Sequence, residues 1–168
     1  SGGPHRAVVL ITGSGPQDRD EALMGHRPFL VLADYLTRQG TAVLRMDDRG
    51  IGKSTGNFAT ATTEDFVEDA LAGVAWLRER RDIDPKKIGL VGHSEGGLVA
   101  PLAAVRSADV AFIVLLAGVG VPMDELLLRQ AADIARVMGA SEADGARNAA
   151  AQKEIFRILH TERDDQAA

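Results

Sequence analysis

Short, unbroken runs of apolar residues alternate along the chain with longer stretches in which apolar residues recur every three or four positions. The runs lack the alternation of apolar and polar residues that marks a half-exposed strand, so they predict parallel strands buried on both faces. The strand candidates are residues 7–12, 41–46, 87–92 and 110–117. The helix candidates between them are residues 27–39, 63–80 and 95–107.

This order of elements predicts a three-layer α/β sandwich with a parallel sheet between layers of helices. Right-handed crossovers would make all four strands parallel and place strand 110–117 beside strand 87–92. Thr62 and Asp65 have the spacing of a capping box at the start of the second helix. The sequence DPKK at 84–87 predicts a turn before the third strand.

The pattern changes after residue 120, where helical periodicity continues without further strands. Residues 121–160 predict two consecutive helices with a break at Gly139. We therefore expect a core over residues 1–120, a helical segment over 121–160 and a frayed tail over 161–168.

Composition narrows the chemistry. The 168 residues carry a net charge of −5 and no basic cluster, which argues against nucleic-acid binding. The absence of cysteine excludes disulfides, thiolate metal sites and a cysteine nucleophile. The longest apolar run, at 110–123, is too short to span a bilayer and contains glycine and proline, so we expect no membrane partner. The expected location is the cytoplasm. The alternative of a leader peptide that is removed from the mature protein is left open.

Two glycine-rich stretches imitate nucleotide-binding motifs but lack essential features. ITGSGPQD at 11–18 begins like a dinucleotide fingerprint, yet Asp18 occupies the third glycine position and no helix follows at once. DDRGIGKST at 47–55 ends like a phosphate-binding loop, but Asp47 replaces the first glycine. A nucleotide- or dinucleotide-binding domain is therefore a remote alternative.

A third glycine-rich stretch, GHSEG at 92–96, matches the G-x-S-x-G pattern of a nucleophile elbow. It closes a predicted strand and opens a predicted helix, as that motif requires. Gly92, Gly96 and Gly97 would leave room for the sharp turn, which lifts the hydroxyl of Ser94 above the carboxyl end of the sheet. The alternative is an ordinary serine in a flexible turn.

Together, GSGPQDRDE (13–21), DDRGIGKS (47–54) and GHSEGG (92–97) resemble, in order and spacing, the signatures of α/β hydrolases. The resemblance runs from about residue 7 to 130 and points to bacterial esterases and serine-aminopeptidase-like hydrolases. It implies a serine hydrolase of carboxylic esters, amides or thioesters that needs no metal or cofactor. Its substrate would be a small molecule.

The resemblance also assigns roles to individual residues. Ser94 matches the nucleophile, and the backbone amide of Glu95 matches one donor of the oxyanion hole. The second donor would come from the loop at 13–17, with Ser14 as the best match and Gln17 as the reserve. The supporting residues it implies are Gly92, Gly96, Gly97, Arg49, Asp18 and Asp20. Of these, Arg49 is expected to join the two acids of the first loop in ion pairs, and His93 to lie away from the nucleophile.

One departure from the family pattern qualifies this reading. In the family, the acid and histidine of the triad follow later strands, and no histidine of this chain occupies the base position. His26 is the one histidine of the loop region that would approach Ser94.

We therefore expect a partial α/β-hydrolase fold with cap-like C-terminal helices, nearly inactive by itself. Its open sheet edges would favour a homo-oligomer or a complementing chain. The alternative function is a hydrolase-like binding or regulatory module without catalysis.

Overall fold

The structure is a computed structural model that describes residues 3–162. The strands are β1 (His5–Ile11), β2 (Thr41–Arg45), β3 (Ile83–His93) and β4 (Phe112–Leu116). The helices are α1 (Pro28–Arg38), α2 (Thr63–Arg78), α3 (Gly96–Arg106), α4 (Met123–Val137) and α5 (Glu142–Thr161), with a short 3-10 helix at Phe58–Thr60. The strands form one sheet in the order β2-β1-β3-β4, and every pairing is parallel. The predicted fold class and the pairing of β3 with β4 are confirmed.

The centre of the sheet is buried on both faces, which explains the unbroken apolar runs. On one face of β1, Ala7, Val9 and Ile11 join a cluster with side chains of α2 and α3. On the other face, Val8 and Leu10 pack with Phe29 of α1. Successive side chains of a strand point to opposite faces, so a strand between two helical layers needs apolar residues at every position.

Helix α2 begins where the sequence predicts. The Thr62 hydroxyl accepts a hydrogen bond from the Asp65 amide, and the Asp65 carboxylate accepts one from the Thr62 amide at 2.8 Å. This capping box satisfies two backbone donors that the first turn leaves unpaired. The helix then buries its stripe of Val67, Ala70, Gly73, Val74 and Leu77 against the sheet.

The predicted turn at 84–87 is instead an irregular part of β3. His5 pairs with Ile83 and Ala7 with Ile88, so the segment between them bulges out of the ladder. The Asp84 carboxylate accepts a hydrogen bond from the Lys86 amide at 3.0 Å, which closes the bulge locally. A proline at position 85 has no amide hydrogen for the ladder, which accounts for the interruption.

Strand β4 differs from the two central strands. All five of its residues, Phe112 to Leu116, are apolar, and between 36% and 42% of each remains exposed. β2 and β4 are the outer strands of the described sheet. Helix α3 packs against β4, yet the apolar side chains of this strand are only partly covered.

The chain divides into two compact units, one ending at Gly118 and one beginning at Val119. Within the second unit, α4 and α5 pack against each other, and the break between them falls at Gly139, whose φ is +77°. Apart from its first two residues, the predicted tail at 161–168 lies outside the described residues. Across residues 3–162, no helix has the length and apolar character needed to cross a membrane.

Candidate active site

Ser94 lies immediately after β3, in the turn that leads into α3. Its φ of +50° is in the left-handed region, which is strained for a residue with a side chain. The turn is held from two sides: the Ser94 amide donates to the Leu116 carbonyl of β4 at 3.0 Å, and the Ser94 carbonyl accepts from the Gly97 amide at 2.9 Å. The position and the strained backbone agree with the expectation for a nucleophile elbow.

Three glycines give this turn its room. A Cβ atom added to Gly92 would overlap the backbone of Gly96, and one added to Gly96 would overlap the carbonyl of Ile11 at the end of β1. A Cβ atom on Gly97 would lie 2.6 Å from the Cα atom of Gly118. Strand and helix therefore approach within backbone contact, and larger side chains at these positions are excluded.

The amino end of α3 offers free hydrogen-bond donors beside Ser94. Among the described residues, neither the Glu95 amide nor the Gly96 amide has a protein acceptor. The first amides of a helix lack partners within the helix and carry the positive end of its dipole. Such donors are suited to stabilise a negative oxygen that forms next to Ser94.

The backbone amides of the loop at 13–17 differ in whether they already have a hydrogen-bond acceptor. The Gln17 amide donates to the Asp48 carboxylate at 2.9 Å, and the Gln17 side chain donates to the Ser14 carbonyl at 3.2 Å. The Gly13 amide is bonded to Glu21. Within residues 3–162, the amides of Ser14 and Gly15 have no acceptor. Of the two predicted donors, Ser14 therefore keeps a free amide, whereas the Gln17 amide is occupied.

Asp48 connects the loop at 13–17 to the turn after β2. Besides the Gln17 amide, its carboxylate accepts a hydrogen bond from the Thr12 hydroxyl at 2.8 Å. Burial raises the pKa of Asp48 above its ordinary value, and the nearby carboxylates of Glu95 and Asp69 act in the same direction. No sequence motif predicts this contact, because Asp48 lies 31 and 36 positions from its two partners.

The predicted ion pairs of Arg49 with Asp18 and Asp20 are wrong. Arg49 instead donates to Asp65 and Asp69 of α2, at 2.8 and 2.9 Å, because the turn after β2 directs its side chain towards the start of that helix. Asp20 pairs with Arg45 of β2. The Asp18 carboxylate accepts the amides of Asp20 and Ala22 and so shapes its own loop.

The ion pair that does join the two loops is Arg19–Asp47. The buried Asp47 carboxylate accepts the Arg19 Nε and Nη2 groups at 2.9 and 2.6 Å, and also the amides of Arg19 and Lys53. The pKa of Asp47 lies well below its ordinary value, mainly because of the hydrogen bond from the Arg19 side chain. The expectation of an ion-paired junction holds, but with different partners.

His93 lies next to Ser94 in sequence, but its ring is bonded elsewhere. The Nδ1 atom is 2.7 Å from Oε1 of Glu21, a buried residue of the first loop. His93 thus makes a structural contact with Glu21 and does not act as a base towards Ser94, as expected. Glu21 itself was missed, since nothing in its local sequence links it to a residue 72 positions away.

The other histidines do not complete a catalytic arrangement. His26 is exposed, and its backbone pairs with that of Leu23 in the first loop. His5 begins β1, and His160 lies in the last turn of α5. None of the four histidines donates to or accepts from the Ser94 hydroxyl, which has no hydrogen bond to any described residue.

A cavity of about 450 Å³ lies beside the elbow, at the carboxyl ends of β1 and β2. Its lining includes Gly13, which lies close to Ser94 in space, and Glu95, which follows Ser94 in sequence. Phe58 and Phe66 also line it, with ring centres 5.9 Å apart. Across the described residues, no three histidine or acidic side chains are grouped to hold a metal ion. The cavity has the size of a site for a small organic group.

Comparison with known proteins agrees with this geometry. A sequence model of the family described as "Serine aminopeptidase, S33" matches residues 27–157. Esterase EstD of Thermotoga maritima is 35% identical over 126 residues, which cover 74% of this chain and 30% of EstD. The chain therefore spans less than a third of that relative.

Solved structures give the same fold. Est1E from Butyrivibrio proteoclasticus, solved with ferulic acid bound, matches 64% of this chain and 40% of its own, with 29% identity and a TM-score of 0.54. The α/β hydrolase GrgF from Penicillium sp. sh18 matches 85% of this chain and 48% of its own, with 24% identity and a TM-score of 0.60. Since the family model matches most of the residues and the sheet has this topology, the chain belongs to the serine aminopeptidase S33 family of α/β hydrolases.

Proposed function

We propose that this chain forms the nucleophile and oxyanion part of a serine hydrolase that acts on carboxylic esters, amides or thioesters. The observation that carries the proposal is the elbow: Ser94 has a φ of +50° at the end of β3, next to the free amides at the start of α3. Backbone strain of this kind persists only where the surrounding structure enforces it, and it is concentrated at functional sites. Its similarity to EstD, an esterase, supports an ester substrate.

In this mechanism, the Ser94 hydroxyl attacks the carbonyl carbon of the substrate while a base removes its proton. The carbonyl oxygen becomes negative and accepts hydrogen bonds from the Glu95 amide and from the Ser14 amide. The tetrahedral intermediate then expels the alcohol, amine or thiol, which takes up the proton. Water releases the acyl group from Ser94 by the same steps.

The base and its acid partner are proposed to lie outside these 168 residues. His93 is bonded to Glu21, and His26 is exposed, so neither is placed to take the Ser94 proton. The partly exposed apolar side chains of β4, an outer strand, support further polypeptide along that edge. It would come from the same gene product or from a complementing chain. By itself, the chain should retain only the catalysis given by the oxyanion donors and binding.

Residues 121–160 are proposed to act as a cap that contributes to substrate binding. Within this unit, Leu127, Ile134, Ile155 and Phe156 line a cavity of about 410 Å³ between α4 and α5. None of the described residues of the unit is buried, so its apolar side chains remain available to other groups. An apolar acyl or alkyl group suits such a lining.

A second candidate is a hydrolase-like binding module without catalysis. It is favoured by one observation, that no histidine of this chain reaches the Ser94 hydroxyl. The gene sequence discriminates between the two. Strands that carry an aspartate and a histidine after residue 168 favour the enzyme, and a stop codon directly after it favours the module.

The test of the enzyme is the hydrolysis of p-nitrophenyl esters of increasing chain length by the whole gene product that contains these residues. We expect Ser94→Ala to remove turnover and Ser107→Ala, at the opposite end of α3, to preserve it. His26→Ala should also have little effect. Turnover that survives Ser94→Ala would refute the nucleophile, and turnover lost on His26→Ala would identify a base within this chain.

A further inference from the structure

Glu21 is an unusual acid in this chain. It is 6% exposed, and its φ of +52° is in the left-handed region. Asp47, the other buried acid among the described residues, has the Arg19 guanidinium as its counter-ion. Glu21 has no arginine or lysine partner in residues 3–162, and its carboxylate is held by the His93 ring and a backbone amide. Burial of a carboxylate in a strained loop is unfavourable unless these hydrogen bonds compensate for lost hydration.

The two contacts of Glu21 meet at a single atom. Oε1 lies 2.7 Å from the Gly13 amide nitrogen and 2.7 Å from His93 Nδ1. Gly13 begins the loop that carries the free amides of Ser14 and Gly15, and His93 directly precedes Ser94. One carboxylate oxygen therefore joins the loop of the oxyanion donors to the elbow.

The space around Gly13 shows how closely the oxyanion loop approaches the elbow. A Cβ atom on Gly13 would lie 3.1 Å from His93 Nδ1, 3.2 Å from Glu21 Oε1 and 3.2 Å from Ser94 Cβ. Only a residue without a side chain fits at this point without displacement. Asp48 holds the far end of the loop through Thr12 and Gln17, and the Glu21 carboxylate is the side chain that ties the Gly13 end of the loop to the elbow.

We propose that Glu21 is a positioning residue for hydrolysis, holding the Ser14 and Gly15 amides at a fixed distance from the Ser94 hydroxyl through its bonds to Gly13 and His93. The inference rests on the proposed function of Ser94. Glu21 touches no reacting atom and acts through the oxyanion loop. Small displacements of such donors cost about a hundredfold in rate, because the donors must meet an oxygen that is negative only in the transition state.

The experiment uses the whole gene product and measures kcat and KM for a p-nitrophenyl ester. Active sites are counted by covalent labelling of Ser94 with a fluorophosphonate, so that misfolded protein does not enter kcat. We expect Glu21→Ala to lower kcat per labelled site about a hundredfold with KM changed by less than threefold. Glu21→Gln keeps an acceptor oxygen without the charge and should lose only about tenfold. Glu79→Ala, an exposed acid at the end of α2, is the matched control and should change nothing.

A second readout does not depend on activity. Hydrogen exchange of the Gly13 amide, followed by NMR in a Ser94→Ala background, should be slow with Glu21 present and at least tenfold faster in Glu21→Ala. If Glu21→Ala does not fold, Glu21→Gln and His93→Ala are measured in the same way, and both should lower kcat rather than raise KM.

The outcomes separate the two proposals. Ser94-dependent turnover with an unchanged kcat in Glu21→Ala or Glu21→Gln would overturn the role of Glu21 and leave the hydrolase proposal intact. Equal exchange of the Gly13 amide with and without the carboxylate would also overturn it. Absence of any Ser94-dependent turnover would defeat the proposed function, and the positioning role with it.

Discussion

The carboxyl ends of β1 and β3 contrast with strand β4, although all three belong to one sheet. At the carboxyl ends, buried acids have donors, the loops are fixed to each other, and the strained turn at Ser94 is bonded on both sides. Along β4, five apolar side chains remain at least 36% exposed. The first region is fixed by hydrogen bonds and ion pairs, whereas the second is an exposed apolar surface of the kind that contacts other polypeptide.

This contrast separates two requirements of catalysis. In the proposed mechanism, local turns and loops that bond to one another organise the nucleophile and the oxyanion donors. The proposed base would come from outside these residues, and β4 is an edge at which further elements would add to the sheet. If the first region is organised independently of the second, substitutions in the two regions should have separate effects.

The largest expected effect is on turnover. Residues 1–168 alone should hydrolyse a p-nitrophenyl ester at least about a thousandfold more slowly than the whole gene product, because the oxyanion donors and binding remain but the base is missing. Steady-state rates per mole of protein measure the difference. Comparable rates, lost on Ser94→Ala in both proteins, would show that this chain contains its own base.

The next effect concerns the stability of the elbow. Gly92→Ala would push a Cβ atom into the backbone of Gly96, so we expect a loss of more than about 4 kcal/mol in the free energy of unfolding. Gly145→Ala in α5 is the matched control, since a Cβ atom there meets nothing within 4 Å. It should stabilise the helix by about 0.5–1 kcal/mol. Urea unfolding followed by circular dichroism measures both, and equal effects would contradict the backbone contact.

The sequence predicts these two regions to different degrees. Periodicity finds every strand and every α-helix of residues 3–162, though not the short 3-10 helix at Phe58–Thr60. A strand between two helical layers and an amphipathic helix each leave a distinct spacing of apolar residues. The elbow is found because its constraints are local: a serine, three glycines and a strand–helix junction within six residues. At 84–87 the sequence predicts a turn where the structure has a bulge, because proline and aspartate favour both.

The ion-pair partners were not predictable in the same way. The chain has 24 acids, and the partner of an arginine depends on where loops from distant parts of the sequence meet. Arg49 bonds to acids 16 and 20 positions away, and Glu21 to a histidine 72 positions away. Such contacts leave no pattern in a single sequence.

A smaller effect is expected at the ion pair that joins the two loops. Asp47→Asn should lower the free energy of unfolding by about 2 kcal/mol, because the buried carboxylate loses its charge-assisted bonds to the half-exposed Arg19 side chain and two backbone contacts weaken. Asp34→Asn is the control: its pair with Arg38 is exposed, so the change should be below about 1 kcal/mol. Urea unfolding at pH 7 compares them.

The same pair has a pH signature with a defined sign. The pKa of Asp47 is lowered in the folded protein, so the stabilisation is present above the ordinary carboxyl pKa of about 3.9. It is lost as the pH falls from there towards the lowered value. Between pH 5 and 2 the unfolding midpoint should therefore fall more steeply in the wild type than in Asp47→Asn. Parallel curves would show that Asp47 is not the group that titrates.

The smallest expected effect is on association of the 168-residue chain through β4. An outer strand with partly exposed apolar side chains offers unpaired backbone groups and apolar surface together, so we expect self-association at high concentration. Val114→Lys should weaken it about tenfold, since a charge at the centre of the strand would have to lose its water. Val105→Lys is the matched control, because Val105 lies on α3 and is already 88% exposed. Sedimentation velocity at several concentrations measures the shift. A monomer at every concentration would show that the chain does not associate through β4. Equal weakening by both substitutions would show that the change in net charge, and not the strand, controls association.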